Sequence, residues 1–345
     1  MRRLVCALGA AVGIVLGTAC SAGAEGPAAE GFTIEDERIT ESSGLAASRA
    51  HPGVYWTHND SDDGPYVYAV DGATGRTVAT VTLTGVDPRD VEAVSVGPDG
   101  NVYVGDIGDN LGGTWPEVWI YRFAEPAELA DTEVETTRFT VRYADGPRDA
   151  ESLAVHPGTG RVYIVSKNED GGGLYAGPEE LSASGANTFT RTAGIDLWAT
   201  DAAFSPDGTR LAVRGYFGGR MYAWEDGKPR ELGRLSVPVQ RQGESVTFAP
   251  DGRTLLYGTE GGRSEVRPMG LTDDQLPEKA RQEEPGGKER EAASGGDGAE
   301  GTASGGDTAS GDDGDGGNTV RTGLTLAAGA AVFLVLRRLL VRRRA

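Results

Sequence analysis

Between residues 32 and 271 the apolar positions fall in short runs, each ended by a turn signal, and the set of runs repeats. Four stretches align closely: EAVSVGPDGNVYVGDI from Glu92, ESLAVHPGTGRVYIVSK from Glu151, TDAAFSPDGTRLAVRGY from Thr200 and ESVTFAPDGRTLLYGTE from Glu244. A fifth, SGLAASRAHPGVYWTHND from Ser43, matches with a two-residue insertion. Each reads as a strand, a Pro-Asp-Gly or similar turn, and a second strand rich in Val, Tyr and Leu. A third apolar stretch follows in every unit (PYVYAVD, EVWIYRF, GGLYAG, GRMYAWE, SEVRPMG). The first four units add a fourth (TVATVTL, TRFTVRY, FTRTAGI, ELGRLSV).

Four antiparallel strands per unit predict an all-β chain folded as a β-propeller. The units start at 43, 92, 151, 200 and 244, near the spacing of roughly 40–50 residues of propeller repeats. Five four-stranded blades are expected, or six if the longer second unit hides another. The fifth unit has no fourth strand of its own. FTIEDERI, Phe32 to Ile39, is expected to supply it and to close the ring, removing open sheet edges.

The flanks read as addresses. Arg2 and Arg3, an apolar run and Ala22-Gly23-Ala24 form a secretory signal over 1–24, with lipidation at Cys20 as the rival to cleavage after Ala24. A short linker, 25–31, precedes the propeller domain, 32–271. Residues 272–319 are acidic and glycine-rich without apolar periodicity, which predicts a disordered stalk. Residues 320–341 predict a transmembrane helix. Its uncharged part is short, but the span reaches about 30 Å if Arg337 and Arg338 snorkel. The basic tail 342–345 then stays inside, giving a single-pass protein of the cell membrane with an extracytoplasmic propeller.

Composition narrows the function. A formal charge of −19 over 345 residues argues against nucleic acid, whose binding needs a basic groove. The only cysteines, Cys6 and Cys20, lie in the signal, so thiol chemistry is excluded from the domain. No HExxH, P-loop or GxSxG occurs.

The first strand of each blade lines the channel, so aligned positions form rings around it. The starting column holds Ser43, Glu92, Glu151, Thr200 and Glu244, with Asp90 and Asp149 two residues earlier. Such crowded acids repel unless a cation, an arginine or shared protons relieve them. The ends of the second strands add His58, Asn59, Asp106, Asp109, Lys167, Arg214 and Glu260. In GDIGDN, Gly105 to Asn110, acceptor side chains alternate with glycine, which suits calcium and its six to eight oxygen ligands. The metal candidates are therefore Glu92, Glu151, Glu244 and Asp106, and the ligand-binding candidates His58, Asn59, Asp109, Lys167, Arg214 and Glu260. NDSDDG, from Asn59 to Gly64, reads as an ordinary turn.

The pieces ESSGLA, RDVEAVSVGPDGNVYV, RDAESLAV and QGESVTFAPDG resemble the exported bacterial propellers grouped as esterase-like phytase and WD-like families. Those carry S-G-L and D-x-E signatures at the starts of their inner strands. Here Ser43-Gly44-Leu45, Asp90-x-Glu92, Asp149-x-Glu151 and Gly243-Glu244-Ser245 stand in those places. The resemblance covers most of 32–271 and implies the propeller. Activity it leaves to the site, since propellers host many functions. The fourth unit departs, with Thr200-Asp201 in place of the glutamate signature.

Two functions stay open. One is a tethered binding or sensing module for a wall component, peptide or protein. The other is a calcium-assisted hydrolase of phosphate esters or lactones, with the metal on the mouth acids and His58 and Arg214 as catalytic candidates.

Overall fold

The computed structural model describes residues 29–60 and 63–283. β1 (Phe32–Thr33) leads into a first unit of β2 (Ser42–Ala47), β3 (Val54–Asn59), β4 (Tyr66–Asp71) and β5 (Thr77–Thr84). The second unit contains β6 (Val91–Val96), β7 (Asn101–Asp106), β8 (Val118–Ala124), a short β9 (Thr132–Glu135) and β10 (Thr137–Tyr143). The third has β11 (Ala150–Val155), β12 (Val162–Ser166), β13 (Gly172–Ala176) and β14 (Ala186–Ile195). The fourth has β15 (Ala199–Phe204), β16 (Arg210–Gly215), β17 (Gly218–Glu225) and β18 (Lys228–Leu235). The fifth has β19 (Gly243–Phe248), β20 (Thr254–Thr259) and β21 (Glu265–Gly270).

Within each unit successive strands pair antiparallel, except that in the second unit β8 pairs directly with β10 and β9 stands apart. The inner strands β2, β6, β11, β15 and β19 each pack beside the next, and β19 packs against β2. The result is an all-β, propeller-like ring of five units. Inner and second strands are buried along nearly their whole length, because a neighbouring sheet covers each face. That is why they read as continuous apolar runs. The outer strands β10 and β14 alternate buried and exposed positions, as expected where one face meets solvent. The turn glycines permit the tight inner hairpins: Gly100 and Gly208 sit at φ 71° and 75°, where a Cβ would be strained.

The long second unit does not found a sixth blade. Its extra residues form β9, which pairs parallel with β5 of the first unit, Val81 opposite Thr132 through Thr84 opposite Glu135. A similar parallel pairing of β14 with β10 ties the outer edges of units two and three.

Closure comes from the expected segment, but with a shorter strand. Only Phe32 and Thr33 pair with β21, opposite Val266 and Glu265. The chain then turns at Asp36, whose carboxylate accepts from the Arg38 amide and guanidinium. Ile34 and Ile39 drop instead into the core between units five and one, against Leu45, Tyr55, Tyr68, Val70 and Leu256. The segment closes the ring more by packing than by pairing.

Residues 272–283, expected as the start of the stalk, pack onto the domain. The short helix α1 (Glu278–Gln282) follows buried Leu276 and buries Ala280. No helix among the described residues is long and apolar enough to cross a membrane. The expected signal, the span 320–341 and the rest of the stalk lie outside the described residues.

Candidate binding mouth

The same irregularity recurs at the start of all five inner strands. Pairing with the second strand shifts register between Ser42 and Leu45, Val91 and Ala93, Ala150 and Ser152, Ala199 and Asp201, and Gly243 and Val246. Each shift brackets one member of the starting column: Ser43, Glu92, Glu151, Thr200 or Glu244. A bulge re-aims the side chain that it carries. The column residues bridge to the neighbouring unit at two places: Ser43 Oγ donates to Glu92 Oε2 at 3.3 Å, and Thr200 Oγ1 to the Glu244 carbonyl at 2.7 Å.

Just past the second strands, a backbone amide bonds back to the residue two before the column. Asp60 donates to Glu41, Gly108 to Asp90, Lys167 to Asp149, and Glu260 to Gln242. Those four bonds place Asp60, Gly108, Lys167 and Glu260 at equivalent positions of a second ring. Asp60, Asp90 and Glu92, all buried, each offer an oxygen within 4.8 Å of the others. Gly108 makes this approach possible, since a Cβ there would stand 2.5 Å from Asp90 Oδ2 and 2.7 Å from Glu92 Oε1.

Around the ring, Glu151 is ion-paired with Lys167, both side chains almost wholly buried. Burial pushes the Glu244 carboxyl well above the ordinary carboxylate range; Glu260 adds to the rise, while Lys167 and Arg214 oppose it. Asp149 is likewise pushed up by burial, against the pull of Lys167. The charge of Asp60 is felt at both Glu244 and Asp149, so acids from four units share one field. Carboxylates outnumber the cations Lys167 and Arg214, which makes this end of the channel a place for positive charge.

Of the residues singled out from sequence, Glu92, Glu151, Glu244, Lys167 and Glu260 meet at this mouth. Others have structural work. Asp106 is not among the grouped acids: its carboxylate accepts from the amides of Arg89 and Asp90 at 3.2 and 3.0 Å and from Tyr121 Oη at 2.7 Å. Its role is to fix the entry to β6. Asp109 accepts from the Thr114 and Trp115 amides and holds the loop after β7. Asn59 uses its whole amide, accepting from the amides of Thr40 and Glu41 and donating to the Arg38 carbonyl and Asp63.

The two catalytic candidates are closed in as well. His58 is 1% exposed. Its Nδ1 lies 3.0 Å from the Asn59 carbonyl, and burial pushes its pKa down. Arg214 donates to the carbonyls of Ser245 and Gly258, both at 2.7 Å, and to Gln240 Oε1 at 3.0 Å. Burial lowers it to about 10, so it stays cationic and locks unit four to unit five.

Asp60 is the member that sequence reading missed. It stands in NDSDDG, which reads as a turn, and only alignment with Lys167 and Glu260 after the second strand would have picked it out. Asp90 was visible two residues before Glu92.

The opposite mouth differs. It holds an apolar cavity of about 330 Å³ lined from all five units, by Leu45, Val94, Val155, Phe204 and Phe248 among others. Pro206 and Pro250 border it, and α1 docks on the turns that follow them. The amides of Glu278 and Lys279 donate to Thr209 Oγ1 and Asp207 Oδ2 at 3.0 and 2.9 Å. The described chain therefore ends at the apolar mouth, away from the acids.

No family model matches the chain, and no curated protein does. Solved structures with a similar fold include the PQQ-bound aldose sugar dehydrogenase of Streptomyces coelicolor, 14% identical, covering 70% of this chain and 99% of that one, TM-score 0.37. A candidate 6-phosphogluconolactonase of Bacteroides uniformis is 14% identical, covering 68% and 69%, TM-score 0.38. The hydrazine synthase of Kuenenia stuttgartiensis is 13% identical, TM-score 0.37; the match covers 63% of this chain and 61% of that chain's length. Likenesses this distant do not assign an activity.

Proposed function

We propose that this protein is a membrane-tethered, extracytoplasmic binding module whose acidic mouth takes cationic groups. The observation that carries the reading is the convergence of buried acids from four units on one mouth, with Glu244 held at a raised pKa that positive charge would relieve. The exit of the chain at the apolar mouth supports display, because a stalk leaving there points the acids away from the membrane. The test is the thermal midpoint of the full chain in detergent, titrated with calcium and with N-acetyl-lysine methylamide. A ligand at a hundredfold excess over its dissociation constant adds about 2.7 kcal/mol to the folded state. Either cation should raise the midpoint, and Glu244→Gln with Glu260→Gln should weaken the response. A midpoint indifferent to both cations overturns the reading.

A second reading, the calcium-assisted hydrolase, is favoured by the oxygens of Asp60, Asp90 and Glu92. Three carboxylates with a glycine opening at Gly108 suit a hard cation that takes oxygen ligands. Calcium held there would supply charge to polarise a phosphoryl or carbonyl oxygen. The binding reading is preferred because the two catalytic candidates are committed elsewhere: the Arg214 guanidinium donates to the carbonyls of Ser245 and Gly258 and to Gln240, and His58 Nδ1 lies against the Asn59 carbonyl. The esterase-like resemblance belongs to this second reading, and a phosphoesterase and lactonase panel tests it.

A further inference from the structure

Among the described residues five large apolar side chains are exposed: Tyr66, Val78, Leu111, Phe217 and Val239. Single exposed apolar residues are ordinary. Their distribution here is not, because four of the five stand at the acidic end, Leu111, Phe217 and Val239 on loops and Tyr66 at the start of β4. Only Val78, near the start of β5, lies at the other end.

Each of the four is tied to the mouth by a neighbour. Leu111 follows Asn110, whose Nδ2 donates to Asp90 Oδ2 at 2.9 Å. Val239 precedes Gln240, which accepts from Arg214. Tyr66 lines a small cleft with Asp60 and Arg89. Phe217, 62% exposed, continues a ledge of Trp198 and Tyr216, with ring centroids 5.0 Å apart for Trp198–Tyr216 and 6.3 Å for Tyr216–Phe217.

The ledge already holds an ammonium. Lys167 Nζ lies 5.5 Å from the Tyr216 ring centroid while ion-paired with Glu151. A carboxylate on one side and an aromatic face on the other is a favourable seat for an amine.

Resting on the reading that the mouth takes cationic groups, we infer that its partner is a protein segment carrying a lysine or arginine between apolar side chains. The cation enters among Asp60, Glu244 and Glu260, and the flanking side chains lie on Phe217, Leu111 and Val239. A lone metal ion or small amine would use none of these apolar groups. They stand on the loops of units two and four and on the link from unit four to unit five, so an occupant that uses them must cross the mouth, as an extended peptide does. An anionic lipid surface is disfavoured by the acids and by the position of the chain exit.

The experiment uses the full chain in detergent and three probes followed by calorimetry. These are the capped tripeptide phenylalanyl-lysyl-leucine, the same tripeptide with norleucine for lysine, and N-acetyl-lysine methylamide. The lysine tripeptide should bind at least about tenfold more tightly than the lysine derivative, with the norleucine tripeptide undetectable. Phe217→Ser with Val239→Ser should lower the tripeptide's affinity about tenfold, in a chain whose thermal midpoint shows that it is folded. Equal affinity of the tripeptide and the lysine derivative would overturn the peptide inference and leave the cationic mouth standing. Failure of both lysine probes here, together with a midpoint indifferent to calcium, would remove both.

Discussion

Glu244 is buried in the mouth beside Glu260, and burial more than its neighbour keeps its carboxyl well above the ordinary range. The folded state therefore holds this proton more tightly than the unfolded chain does. Stability from this group is greatest at low pH and is lost as pH rises from the ordinary carboxylate range through the raised pKa. In metal-free buffer near neutral pH, Glu244→Gln should raise the thermal midpoint by a few degrees. It should also flatten the rise that the native chain shows as the pH falls from the raised pKa toward the ordinary carboxylate range. A variant less stable than the native chain at neutral pH would mean that Lys167 and Arg214 outweigh the burial. At this scale the alignment of repeats was a good guide to position and a poor one to role. Glu92, Glu151 and Glu244 share a column and do meet. Asp106, Asp109, Asn59 and Arg214 sit as near in sequence, yet their polar atoms are bound by amides, carbonyls and a tyrosine that no local pattern reveals.

Among the elements, the N-terminal segment carries more of the fold than its two paired residues suggest. Phe32, Ile34 and Ile39 are 8%, 0% and 0% exposed. Full burial of such side chains contributes about 1.5–3 kcal/mol each, comparable in sum with the 5–15 kcal/mol that typically separates folded from unfolded domains. A chain beginning at Glu41 should aggregate or melt far below one beginning at Glu25. Ile34→Ala alone should cost about 2–5 kcal/mol by denaturant unfolding. Equal midpoints for the two starting points would remove this account of closure. The closing role of this segment was legible because the fifth unit lacked a fourth strand. Its form was not, since the turn at Asp36–Arg38 and the plunge of Ile34 and Ile39 depend on the gap between units five and one. The bulges that aim the column were also hidden, because one extra residue per hairpin leaves no mark on an apolar run.

For the molecule as a whole, the proposed orientation has a direct check. Protease added to intact cells or protoplasts should cut in the acidic segment after residue 283 and release a fragment of domain size that retains the mouth. Release only after the membrane is breached would reverse the topology. The sequence by itself determined the unit: strand, turn, strand, repeated five times. Apolar period and turn chemistry act over a few residues, so they are written locally. It also determined which acids share a register. Only the tertiary structure decided that the extra length of the second unit, fifty-nine residues from start to start, makes an added edge strand instead of a sixth blade. Packing likewise decided that Asp60 joins Asp90 and Glu92 while Asp106 does not, and that the described residues end opposite the acids. Those outcomes depend on which surfaces meet when the ring closes, and contacts between units lie tens to hundreds of residues apart in the chain.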